Sequence, residues 1–247
     1  MEVIDIIILS NGQSKELRNL TENSIQTLLD SEPGDKIRFN ILVIESAKTL
    51  PYHYPFCRTL FPNQEFGYNK FMNLGLRMTN SSFVCLCNND LEFHPGWATA
   101  ILEEFSKNPE IKSASPFCRF NHPPRGFTPN QGVHLGYGVR DEVAGWCLFF
   151  KREILQITGP LEERLKFWYS DNDFAKTLEK HHILHGLVTN SFVDHLESQT
   201  LKTKNDREKL RLTGDERYFF EYKWGERNYF SYLNHKRKQF FKKLQTP

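Results

Sequence analysis

Residues 83–97 read Phe-Val-Cys-Leu-Cys-Asn-Asn-Asp-Leu-Glu-Phe-His-Pro-Gly-Trp. Phe83–Cys87 is a continuous apolar run, the pattern of a buried strand rather than one with a wet face. It stops on a polar, acidic turn, Asn88-Asn89-Asp90, and a helix from Pro95 to Phe105 follows with proline in its first turn. The same alternation extends upstream. Val3–Ser10 is apolar with one interruption at Asp5 and ends at Asn11-Gly12. Ser14–Asp30 has helical spacing, with Ser14 as its N-cap and Pro33-Gly34 as its stop. Phe39–Ile44 is a second strand, Phe66–Met78 a second helix, and Ile111–Pro116 a fourth strand. Strand and helix in strict alternation define an open α/β sheet with crossover helices. Ligands of such sheets bind beyond the carboxyl ends of the strands. The polar residues there are Ser10-Asn11, Glu45-Ser46 and Asn88-Asn89-Asp90.

Downstream the pattern loosens. Arg119–Arg140 holds three prolines and four glycines and reads as a long loop of the kind that usually carries function. Val143–Lys151 is apolar, a short helix runs to about Ile157, Asp171–Lys180 reads as a helix, and Leu187–Val193 as a strand.

The chain has 247 residues, enough for one large domain or a domain with an extension, and its 39% hydrophobic and 25% charged residues are those of a globular protein. No apolar run approaches the length of a membrane-spanning helix. The start, Met1-Glu2-Val3, has no basic region, so no signal peptide and a cytoplasmic location are expected. The five cysteines include no C-x-x-C pair, which argues for reduced, partly buried thiols and against zinc. Cys85 and Cys87 fall on one face of a strand. The net charge of +2 hides an asymmetry: residues 1–201 carry 19 basic and 24 acidic side chains, residues 202–247 carry 13 and 6.

Four constellations can carry chemistry. Asp90, at a strand end, can offer carboxylate oxygens to a hard divalent cation, although such a turn also serves backbone geometry alone. Asn69 and Asn73 lie four apart on one helix face and can read a ligand; Gly75 beside them permits close packing of helix on sheet. Asp171 and Asp173 open a helix, where one can cap and the other act as a general base. His195 closes a strand, with Ser198 and Thr200 after it.

Together these residues resemble the family 2 nucleotide-sugar glycosyltransferases, which have the GT-A fold. The resemblance spans roughly residues 3–200. It rests on the order and spacing of Ser10, Glu45, Gly67-Tyr68 with Asn73 and Gly75, Asn88-Asn89-Asp90, Pro95-Gly96-Trp97, Gly145-Trp146 with Lys151-Arg152-Glu153, Asp171-Asn172-Asp173 and His195. It implies a GT-A (Rossmann-like) open mixed sheet and an inverting transfer of a sugar from a nucleotide-diphosphate sugar, UDP-linked by expectation. It implies a divalent cation, Mn2+ or Mg2+, on Asp90 and His195. Glu45 would meet the nucleobase with Ser10 and Asn11 nearby, and Asn69, Asn73, Asn88 and Asn89 would complete the donor site. Gly145, Trp146 and Trp168 would shape the sugar and acceptor pocket. Asp171 would be the base, with Asp173 as the alternative. Two departures stand out: the metal turn begins Asn-Asn, and Ser170 replaces the leading acid of the second motif.

Residues 202–247 contain ten aromatics interleaved with bases and form the expected helical extension, separate from a catalytic domain of residues 1–201. Aromatic faces against the core with a solvated basic face, a membrane-surface helix, and nucleic-acid binding all fit that pattern. The sequence resembles stand-alone enzymes of large bacteriophages, which points to a hydroxylated pyrimidine in DNA as acceptor. A polysaccharide or lipid-linked saccharide is the second choice, and a non-catalytic nucleotide-sugar or nucleic-acid binding protein is the reading from another class.

Overall fold

The computed structural model describes residues 1–48, 51–196 and 216–244, with side chains of the last helix as far as Lys238. Four parallel strands form one half of the sheet: β1 (Glu2–Ser10), β2 (Ile37–Glu45), β3 (Arg58–Leu60) and β4 (Phe83–Cys87). The other half holds β5 (Leu91–Phe93), β6 (Ile111–Phe117), β7 (Val133–Leu135), β8 (Cys147–Lys151) and β9 (Leu184–His195). The order is β3-β2-β1-β4-β8-β6-β9-β5, with β7 beside β9. β8 runs antiparallel to both β4 and β6, so the sheet is mixed, as the resemblance implied.

Helices cover both faces. Ile4, Ile6 and Ile8 of β1 pack with Ile25 and Leu28 of α1 (Lys15–Asp30) and with Trp97 and Ile101 of α3 (Trp97–Lys107). Ile7 points the other way, to Phe71 and Met72 of α2 (Tyr68–Arg77) and to Phe174 and Leu178 of α5 (Ser170–Lys180). Two-sided burial is what a strand without polar alternation requires. Ser14 accepts from the Leu17 amide as the expected N-cap of α1. A Cβ on Gly75 would lie 2.6 Å from Ile7 Cγ2, so this glycine does let α2 sit close on β1. Cys85 Sγ lies 3.4 Å from Cys87, on the strand face the sequence assigned to both, and 3.5 Å from Cys147, an approach that the sequence spacing did not foretell.

α4 (Leu155–Thr158) is short. Beyond it, residues 216–223 (α6) and α7 (Tyr229–Leu244) are helical, and Phe219 and Phe220 pack on Leu165 and Tyr169. Ser198, Thr200 and the expected boundary at 201/202 lie outside the described residues.

Asp5, the single polar break in the first strand, is fully buried. Its carboxylate accepts from Asn40 Nδ2 (2.6 Å), the Ser81 amide (2.7 Å), Ser81 Oγ (2.9 Å) and the Arg152 guanidinium (2.8 Å). Arg152 also donates to the carbonyls of Ser81 and Leu76. Asp5→Ala leaves the partly buried Arg152 guanidinium without its counter-charge, and urea unfolding is expected to register a loss of about 3 kcal/mol.

Candidate active site

A cleft of about 670 Å³ opens over the carboxyl ends of β1 and β4. It is lined by Ser10, Asn11, Asn69, Asn88, Asn89, Asp90, Gly145, Trp146, Trp168, Asp171 and His195. Eleven of the fourteen site residues expected from the sequence therefore meet in one place, although they span 185 positions from Ser10 to His195.

On one side Asp90 Oδ1 stands 3.2 Å from His195 Nε2. β5 places them: Leu91 pairs with His195 across the antiparallel β5–β9 ladder, and the Leu196 amide donates to the Asp90 carbonyl. The imidazole stacks on Trp146, with ring centres 5.1 Å apart and planes within 6°. Despite the short distance, His195 Nε2 makes no hydrogen bond. A carboxylate oxygen and an imidazole nitrogen that converge without bonding each other suit a shared divalent cation, and the donor types match Mn2+ or Mg2+ with water and phosphate oxygens completing the shell. Strand alternation turns Asp194 to the opposite side, where it accepts from the Arg119 amide (2.8 Å), Arg119 Nε (2.7 Å) and His94 (2.9 Å). Burial pushes the Asp194 carboxyl up, but Arg119 and His94 outweigh it and hold it below its ordinary value.

On the other side Asp171 opens α5 beside Gly145. A Cβ on Gly145 would stand 2.6 Å from Asp171 Cβ, so only glycine admits this carboxylate at that depth. Oδ1 accepts from the Asn172 amide at 2.9 Å. Burial raises the Asp171 pKa above 3.8, outweighing nearby amides and Arg140. Tyr169, just before it, holds the left-handed conformation (φ 61°) that bulky side chains avoid, and its ring is stacked on Phe220 of α6.

Three expected residues are engaged elsewhere. The Glu45 carboxylate accepts from the amides of Gly12 (3.0 Å) and Ala47 (2.6 Å) and from Tyr54 Oη (2.8 Å), so it fixes the cleft wall rather than facing into it. Asn73 binds the Leu161 backbone in both directions, 2.9 Å each way, while Asn69 holds the Glu162 carbonyl at 2.9 Å and keeps only an edge on the cleft. Their i, i+4 spacing thus clamps a loop. Asp173 accepts from Lys223 Nζ and Trp224 Nε1, and that pairing leaves Asp171 as the free carboxylate. Ser10 Oγ is shared with Thr21 (3.0 Å) and Tyr54 (2.8 Å), and Asn89 donates to Thr21.

Sequence reasoning missed Glu216. Its buried carboxylate accepts from the Phe167 (3.1 Å) and Trp168 (2.6 Å) amides and so holds the loop that brings Trp168 to the cleft. Arg125 and Arg140, from the long loop read as functional, also reach the cleft.

This sheet order with a cleft over the parallel carboxyl ends is the GT-A fold. GalNAc-T7, solved with UDP, GalNAc and Mn2+, superposes with a TM-score of 0.63 over 93% of this chain and 52% of that one, at 10% identity. TarS residues 1–349 from S. aureus superpose with a TM-score of 0.55 over 78% of this chain and 59% of that one, at 12% identity. Both are GT-A glycosyltransferases, and the chain spans between half and three-fifths of their length. At these identities the likeness is one of fold. No protein-family model and no curated protein sequence matches the chain.

Outside the cleft lining, His185 ties β9 to β6 and to the loop before β8. It is fully buried, its Nδ1 is 2.8 Å from Ser113 Oγ, and its Nε2 is 3.0 Å from the Glu142 carbonyl. That carbonyl can only accept, so Nε2 carries the proton. Burial lowers the His185 pKa to about 4 from 6.5. The ring is neutral when folded, so its stabilising effect is complete above pH 6.5 and is lost as the pH falls towards 4. Urea titrations across that window are expected to lose about 3 kcal/mol, and His185→Gln should flatten the loss.

Proposed function

We propose that the chain is a metal-dependent, inverting glycosyltransferase that takes a sugar from a UDP-sugar, as family 2 enzymes do. One observation carries this reading. Among the described residues, eight buried side-chain polar atoms lack a hydrogen-bond partner, and six line this single cleft: Asn11 Oδ1, Tyr68 Oη, Trp146 Nε1, Trp168 Nε1, Ser170 Oγ and His195 Nε2. Unpaired buried polar atoms are costly and rare, and their collection in one cleft fits a polyhydroxylated, phosphate-bearing ligand. The GT-A likeness to a protein solved with UDP, GalNAc and Mn2+ supports the same donor class.

Asp90 and His195 would hold the cation. When bound, it neutralises charge growing on the departing diphosphate. The indole N–H groups of Trp146 and Trp168 donate to sugar hydroxyls, and Asn11 accepts from the nucleotide. Asp171, kept more basic by burial, takes the proton from the acceptor hydroxyl as its oxygen attacks the anomeric carbon. The sugar–phosphate bond breaks on the opposite face, so a single displacement inverts that carbon.

The acceptor proposed from the sequence is a hydroxylated or hydroxymethylated pyrimidine in phage DNA, reached in a host cytoplasm. A polysaccharide or lipid-linked saccharide is the second reading, and the exposed face of α7 described below favours it. Among the described residues no helix is long and apolar enough to cross a membrane.

Thermal unfolding with UDP and UDP-sugars, with and without Mn2+, tests the donor: a bound donor raises Tm by mass action, and Asp90→Ala should abolish the metal-dependent part. Asp171→Asn should keep the donor shift but lower transfer by about 10²–10⁴-fold. No shift with any donor would sink the transferase reading and leave a binding protein. Since Asp171 must be ionised, kcat/KM should fall as the pH drops, with an apparent pKa above the ordinary 3.8. A limb at or below that value would remove Asp171 from the role of base.

A further inference from the structure

Most aromatics of residues 216–238 are already used in packing. Tyr218 stacks on His235 with centres 3.6 Å apart, Tyr222 on Tyr232 at 4.6 Å, and Phe220 on Tyr169 at 5.0 Å. Ser231, Tyr232 and His235 thereby turn one side of α7 towards the body. The opposite side leaves Phe230 77% and Leu233 42% exposed, and at its edge Tyr229, which touches Tyr222 with ring centres 5.9 Å apart, is still 52% exposed. Phe230, Leu233 and Arg237 fall at i, i+3 and i+7, and Tyr229, Leu233 and Lys236 at i, i+4 and i+7, so they form one stripe. Its first turn is apolar and its second is basic. Lys236, Arg237 and Lys238 are exposed, and residues 229–244 contain five Lys or Arg and no acid.

We propose that this face of α7 seats the protein on an anionic lipid bilayer. The charge calls for a negative partner, and the apolar stripe calls for one that can also bury aliphatic and aromatic groups. A bilayer surface does both: Phe230, Leu233 and Tyr229 enter the headgroup boundary, and the three cations reach lipid phosphates. Nucleic acid answers the charge but has no use for Leu233, and the ring faces that could stack on bases are covered in Tyr218, Tyr222 and Tyr232. The inference is independent of the transferase reading, since it involves no residue of the cleft.

Flotation of the full chain with vesicles tests it. Binding is expected to phosphatidylcholine vesicles containing about 30% phosphatidylglycerol, to weaken as salt is raised, and to be at least about tenfold weaker on pure phosphatidylcholine. The Phe230→Ser, Leu233→Ser double variant should lose binding about tenfold or more, with an unchanged melting temperature showing that it folds. If the variant does not fold, the salt titration of the unaltered protein decides. The proposal is overturned if the unaltered protein ignores anionic vesicles, if its binding is insensitive to salt, or if the folded double variant floats equally well. Tight binding of duplex or single-stranded DNA without vesicle binding would assign α7 to nucleic acid instead.

Discussion

The ion pair between the fully buried Asp5 and the partly buried Arg152 governs how the two halves of the sheet meet. One carboxylate in the first strand gathers the second strand through Asn40, the entry to β4 through Ser81, and the exit of β8 through Arg152. Such a pair adds little net stability over an apolar substitute, because desolvation offsets the attraction. What it sets is register: only one alignment of β1, β4 and β8 satisfies all four donors. That alignment places the ends of β1 and β4 level with the Gly145-Trp146 turn, because Cys87 pairs with Cys147 at the far end of the same ladder.

With the amino ends of the central strands locked, chemistry is confined to the other end. There the chain supplies an oxygen–nitrogen pair on one wall and the half-buried carboxylate of Asp171 on the other. The two walls are kept apart in character by their neighbours. Asp194 is taken up by Arg119 and the His94 imidazole, and Asp173 by Lys223. Among the described residues no lysine or arginine bonds to Asp90 or Asp171: Asp90 faces His195 at 3.2 Å, and Asp171 accepts from the Asn172 amide.

Much of this was legible in the sequence, because buried strands announce themselves as apolar runs and the residues that follow them sit at strand ends. β1, β2, β4 and β6 and the cap of α1 fell within a residue or two of expectation. The three-residue strands β3, β5 and β7 were not legible, being too short to show a period; β7 lay inside what read as an uninterrupted loop. Membership of the cleft was legible as position, but side-chain direction was not. Glu45, Asn73 and Asp173 have the expected chemistry at the expected place in the chain, yet each is engaged by backbone amides, a carbonyl or a lysine. Glu216 was invisible because its partners, the amides of Phe167 and Trp168, are some fifty residues away and carry no sequence signal.

That last contact has a consequence for biosynthesis. Glu216 fixes the Trp168 loop, Phe220 supports Tyr169, and Trp224 occupies Asp173. The strands of the sheet lie within residues 2–195, but the cleft wall that carries Asp171 is braced by side chains of residues 216–224, which are made after them. During translation the nascent chain would hold a nearly complete sheet with its wall unbraced until Trp224 had cleared the ribosome. Completion of the site thus waits for residues 216–224, and a stop before residue 216 removes the brace while leaving every strand of the sheet encoded.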